Sequence, residues 1–101
     1  MTKRVYVKKH IKGSITLIAV CDENILGKTF RDGVLKIEVK HSFYGGELRP
    51  IDDELFELLD SANIVNMVGK EIVEEAIRRG FVPRSGVLII GGVPHVQIVK
   101  L

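Results

Sequence analysis

The stretch Ser14-Ile15-Thr16-Leu17-Ile18-Ala19-Val20-Cys21 decides the fold. It is β-branched and nearly all apolar, so neither of its sides suits water. Such a run reads as a central strand buried on both faces. Upstream, Val5, Val7 and Lys9 alternate with Arg4, Tyr6, Lys8 and His10, the period of two of a strand. Lys12-Gly13 supplies a turn between the two, which predicts a hairpin. Downstream, Asp22 is placed to cap a short helical turn that runs to Leu26 and stops at Gly27.

Further out, Asp32-Gly33 is a turn signal. Leu35, Ile37 and Val39 then alternate with Lys36, Glu38 and Lys40, which predicts a third strand. Residues 41–49 have no period and contain Gly45-Gly46, so they read as a loop. Pro50 suits the first turn of a helix over 51–60, with Asp52, Asp53 and Glu54 at its positive end. Ile51, Leu55, Leu58 and Leu59 fall on one face of that helix. Residues 62–68 fit either a strand or a loop. Asn66 is placed to cap a second helix over 69–79, which buries Ile72, Val73, Ala76 and Ile77 and stops at Gly80. Residues 87–90 and 96–99 read as strands around Gly91-Gly92-Val93-Pro94. This order predicts one α+β domain over 1–101, with a mixed sheet and about two main helices packed mostly on one face.

The chain has 101 residues, 46% of them apolar and 28% charged, which is ordinary for a globular domain. The composition excludes disordered and collagen-like chains. No apolar run approaches the length of a membrane span. The lone Cys21 excludes an internal disulfide framework. The basic N-terminus is followed by no apolar signal region, which makes the cytoplasm the expected compartment. Charge is uneven. Residues 1–50 carry ten Lys/Arg and five Asp/Glu, whereas residues 51–101 carry five and eight. Lys3, Arg4, Lys8, Lys9 and Lys12 meet no acid in the first twelve residues. Such an end either attracts a polyanion such as RNA or is an edge strand guarded by lysines.

Candidate chemistry is sparse. Cys21, His10, His41 and His95 include no pair at a zinc spacing, so no metal or other cofactor is expected. Cys21 with His41 or His95 and Asp22 has the elements of a thiol–imidazole site, set against a cysteine simply buried in the core. No catalytic signature surrounds it. Gly45-Gly46 and Gly91-Gly92 match no nucleotide-binding fingerprint and read foremost as loop geometry needing positive φ. Gly69-Lys70 at a helix start has amides and an ammonium that could hold an anion. In the 91–97 segment, His95 and Gln97 share one strand face and offer a polar contact surface beside Pro94. Phe43 and Tyr44 stand among Lys40, His41 and Arg49. Aromatics in that setting either stack on unpaired bases or anchor the loop to the core.

Several blocks recur in a fixed order: Cys21-Asp22-Glu23, Leu26-Gly27-Lys28-Thr29-Phe30, Phe43-Tyr44-Gly45-Gly46-Glu47, Asn66-Met67-Val68-Gly69-Lys70 and Gly91-Gly92-Val93-Pro94-His95-Val96-Gln97. In these the chain resembles the small archaeal proteins grouped as domain-of-unknown-function family 424, from about Ile15 to Leu101. The resemblance implies a stand-alone cytoplasmic protein for which RNA binding is the general suggestion, and it transfers no catalytic residue. It marks the blocks themselves as the motif positions. The expectation that follows is an RNA or ribonucleoprotein partner, in a role linked to translation. Phosphates would meet Arg4, Tyr6, Lys8, Lys9, Lys28, Lys36 and Lys40, and bases would meet Tyr44 or His95. Two other functions remain open. One is a small-molecule binder or enzyme with a pocket at the two Gly-Gly turns, near Cys21, Asp22, Glu47 and His95. The other is a protein-interaction module that uses the acidic helices.

Overall fold

The apolar stretch lies near the middle of a sheet in the computed structural model, which describes residues 3–100. Strand β1 (Arg4–Lys12) and strand β2 (Ile15–Asp22) form the expected hairpin, with Val7 opposite Val20 and Lys12 opposite Ile15. A single 3-10 turn, Glu23–Ile25, leads to a separate hairpin of β3 (Thr29–Asp32) and β4 (Leu35–Glu38). A short helix α1 (His41–Tyr44) and strand β5 (Glu47–Pro50) follow, then helix α2 (Asp53–Asp60). Strand β6 (Ile64–Val68), helix α3 (Lys70–Arg78), strand β7 (Leu88–Ile90) and strand β8 (Val93–Val99) complete the chain. The main sheet runs β5-β1-β2-β6-β8-β7 and is mixed, because β2 and β6 are parallel while the other pairs are antiparallel. The fold is α+β.

The two faces of this sheet are covered differently. Ile18 and Val20 of β2 join Val5, Val7, Val65, Met67 and Val96 beneath α2 and α3. Leu55, Phe56 and Leu59 come down from α2, and Ile72, Val73 and Ala76 from α3. Ala19 and Cys21 point the other way, into a smaller cluster with Ile25, Val39, Tyr44, Val68 and Val93. That second face is roofed by the β3–β4 hairpin and α1. Ile18, Ala19, Val20 and Cys21 are all fully buried, so the strand has cover on both sides. A fully buried aliphatic side chain contributes about 1.5–3 kcal/mol, which makes this run the main apolar anchor of the domain.

Several local expectations are corrected. Residues 41–49 are a helical turn and an edge strand rather than a loop; β5 pairs with β1, Tyr6 standing opposite Leu48. Pro50 ends that strand instead of opening a helix, and Asp52 is the N-cap of α2, its carboxylate accepting from the Leu55 amide at 2.9 Å. Residues 64–68 form a strand, so Asn66 is no cap. Val65 and Met67 face the large core while β2 offers its open ladder, and that tertiary pairing decides the segment. Pro94 lies within β8 and not in a turn. It stands beyond the end of β6, where its carbonyl accepts from the Gly69 amide at 3.0 Å and no ladder partner needs the missing proline N–H. Thr29–Asp32, which has no strong pattern of its own, becomes a strand because β4 pairs with it.

Candidate functional site

On the second face, the β3–β4 hairpin, α1 and the exposed parts of β6, β7 and β8 enclose a groove of about 560 Å³. Lys36 and Lys40 stand on its hairpin side, with Glu38 between them. Lys36 approaches the Glu38 carboxylate at 2.8 Å and Lys40 at 3.8 Å. The hydrogen bond from Lys36 holds the Glu38 pKa below the ordinary carboxylate value. Across the groove, β6 and β8 contribute Asn66 and His95, both half-buried. Burial lowers the His95 pKa, so its ring is neutral at physiological pH and offers one donor and one acceptor. Asn66 stands opposite Gln97 in the β6–β8 ladder. Among the described residues, no side-chain hydrogen bond uses the head groups of Asn66, His95 or Gln97.

Helix α1 is fastened to β1 by two of the expected contact residues. Lys8 donates from Nζ to the Ser42 carbonyl at 2.9 Å. His10 donates from Nε2 to the Phe43 carbonyl at 2.8 Å, and its ring stacks on Phe43 with centroids 4.8 Å apart. Tyr44 lies against the groove but is only 4% exposed. Its ring is therefore part of the floor and has no free face to stack on a base, which removes it from the base-contact set. Desolvation pushes its hydroxyl pKa up to about 12.

The sequence-predicted residues are thus brought together in part. Lys36 and Lys40, neighbours in sequence, line one groove with the distant Asn66 and His95. Arg4, Tyr6 and Lys8 lie on the same sheet face by the alternation of β1, and Arg4 is already held bidentate by Glu23 at 2.8 and 3.1 Å. Lys9 points to the helix-covered side, in register with Ile18. Lys28 is exposed at the start of the hairpin. Ser42, Leu88 and Ile90 also line the groove and carry no sequence signal of their own.

The remaining motif positions have structural duties. The Asp22 carboxylate, 4% exposed, accepts from the Glu71 amide at 2.8 Å and the Ile72 amide at 2.9 Å. It therefore caps α3 from the end of β2, and not the 3-10 turn that follows it. It also occupies the helix start where Gly69-Lys70 suggested an anion site. Gly69 has φ 123°, and a Cβ there would lie 2.3 Å from that carboxylate. Neither Gly45 nor Gly46 has positive φ. Gly46 instead passes so close to β1 that a Cβ would sit 2.1 Å from the Val7 carbonyl oxygen. Gly91, with φ 57°, packs on the Arg31 backbone. Glu47 is exposed beside Arg49. Cys21 is fully buried, and desolvation pushes its thiol up to about 12, so it is no nucleophile. Among the described residues no three His, Cys, Asp or Glu side chains gather as a metal-holding group, and no helix is long and apolar enough to cross a membrane.

Comparisons place this arrangement among known proteins. No curated protein matches the chain. A crystal structure of an uncharacterized conserved protein from Methanopyrus kandleri has the same fold, with a TM-score of 0.78 over 97% of this chain and 94% of that chain, at 23% identity. The family described as protein of unknown function (DUF424) matches residues 10–101, which takes in every block from Cys21 to Gln97. The chain belongs to that family.

Proposed function

We propose that this protein binds RNA and holds an unpaired nucleotide in the groove between the β3–β4 hairpin, α1 and β8. One observation carries the reading. Lys36 and Lys40 from the end of the β3–β4 hairpin, Asn66 from β6 and His95 from β8 come from three separate stretches of chain and meet around one groove of about 560 Å³. That volume lies within the range of small-ligand sites, about 300–1,000 Å³. The two ammonium groups suit phosphate, with Glu38 keeping them positioned until an anion competes for them. The amide of Asn66 and the neutral imidazole of His95 present donors and acceptors with no internal partner, which suits the edge of a base. The apolar side chains of Leu88 and Ile90 supply a floor for its ring.

Fluorescence anisotropy with single-stranded RNA at low salt tests this. Affinity should fall with salt by about 0.7 log units per log unit of salt for each phosphate contact. The Lys36→Gln/Lys40→Gln double variant should lower that slope by about 1.4, by the same rule. Asn66→Ala should leave the slope unchanged and cost about 1–3 kcal/mol if both amide atoms meet the base. Absence of binding to single-stranded, duplex and structured RNA at low salt refutes the reading.

A further inference from the structure

The alternation of the strands assigns every residue of the six-stranded sheet to one of two faces. Its carboxylates are Asp22 and Glu47, and both fall on the side of α2 and α3. The second face therefore carries no acid from these strands, while β1 alone brings Lys8, His10 and Lys12 to it. The hairpin and α1 cover only part of this face. The register sets out a row of Lys8, Ala19, Asn66 and Gln97, then a row of His10, Leu17, Ile64 and Val99; α1 covers the Lys8, His10 and Ala19 end and leaves Gln97 and Val99 exposed. Leu17 and Ile64 are half-buried, and Val99 is 56% exposed. Ile15, one step further along β2, is 45% exposed. A partly uncovered aliphatic strip thus lies beside two adjacent primary amides, on a face to which β1 adds the ammonium groups of Lys8 and Lys12.

We infer that the RNA of the proposed function is a short single strand that leaves the groove at His95 and continues across this open part of the sheet, with bases on Ile64 and Val99 and their edges read by Asn66 and Gln97. The inference rests on the RNA-binding reading. Directly opposed residues of an antiparallel pair have side chains about 5 Å apart, close enough for both amides to meet neighbouring bases. From His95 to Val99 the strand advances about 13 Å, which gives room for bases beyond the one in the groove. Lys12, opposite Ile15, lies on the same face one row beyond His10, across β2 and β6 from β8. A second copy of the chain laid on this face would set Lys8 and Lys12 against the same two ammonium groups, so charge favours a polyanion over self-association. A duplex has its bases stacked and paired and cannot lay them on a flat aliphatic strip.

The test is a length series of labelled oligouridylates, from di- to hexanucleotide, bound to the full chain at low salt. The tetranucleotide should bind about tenfold or more tighter than the dinucleotide, through added phosphate and amide contacts. Gln97→Glu and Val99→Glu should each remove that gain. Ile11→Glu places the same charge on the opposite face of β1, out of contact with the path, and should keep the gain from length that Gln97→Glu and Val99→Glu remove. All three positions are exposed, and thermal melts verify that the variants fold. Binding of the dinucleotide without any gain from length overturns this inference and leaves the groove reading standing. Failure of every oligonucleotide to bind overturns both. Equal competition by duplex RNA, or full displacement by polyglutamate at matched charge, also overturns the single-strand path.

Discussion

Replacing Asp22 with alanine should be among the most damaging single changes outside the apolar core. The carboxylate accepts two amides of the first turn of α3 at 2.8 and 2.9 Å, and the Ile72 bond is buried. Loss of an N-cap costs about 1 kcal/mol. A buried N–H left without a partner costs about 1–3 kcal/mol more. Water has little access to replace the lost acceptor, since Asp22 is 4% exposed. The expected loss for Asp22→Ala is therefore about 2–4 kcal/mol, from a total near 5–15 kcal/mol for a domain of this size. At about 4–8 °C per kcal/mol, the melting temperature should fall by roughly 10–25 °C. Urea unfolding followed by circular dichroism gives the free energy. Native-state hydrogen exchange gives the location: the amides of Glu71 and Ile72 should lose protection before those of β1 and β2. Asp22→Asn keeps the shape and one acceptor oxygen, and should cost about half as much. A loss below about 0.5 kcal/mol for Asp22→Ala, or exchange that rises evenly over the chain, would refute the assignment of this residue as the cap of α3.

Three further outcomes follow from the same structure. Burial holds the Asp22 pKa above its ordinary value of 3.8, against the two amide donors that favour the charged form. A group with a raised folded pKa contributes stability that is complete below the unfolded value and lost as pH rises through the folded one. Unfolding curves from pH 3 upward should therefore show the stability gap between the wild type and Asp22→Asn narrowing as pH rises above about 4. Gly80→Ala, at φ 73° in open space, should cost about 1–2 kcal/mol from backbone strain alone, whereas Gly69→Ala, at φ 123° and against the Asp22 carboxylate, should cost at least twice that in a urea titration. Tyr44→Ala should lower stability by about 3–5 kcal/mol in thermal melts, as loss of a core aromatic does, and Tyr44→Phe should be nearly neutral; a Tyr44→Ala protein of wild-type stability would show that the ring is not part of the floor.

The sequence by itself determined the strands whose side chains repeat with an unbroken period. The apolar run 14–21 has no polar side and could only be central. Arg4 to His10 alternate, and the turn at Gly13 joined the two strands as foreseen. Ile72, Val73 and Ala76 fixed α3, and Leu55 and Leu59 fixed α2, since an amphipathic face needs no partner to be recognised. Tertiary structure decided the segments with weak or mixed patterns. Residues 47–50 and 64–68 became strands because β1 and β2 presented open ladders beside them, an effect carried by residues far away in the chain. Asp22 shows the same limit. A local reading gave it to the turn just after it, while folding carried its carboxylate to a helix that begins 48 residues later, at Lys70. Of the groove, the chain announced Lys36, Lys40 and His95 as polar, basic or aromatic-ring residues, but not that they would meet. Tyr44 was equally visible and went to the interior, because α1 is pinned over β1 by Lys8 and His10 and turns its last residue inward. Residue type marks what a side chain can do. Which face it ends on, and beside whom, is set by the long-range pairing of the sheet.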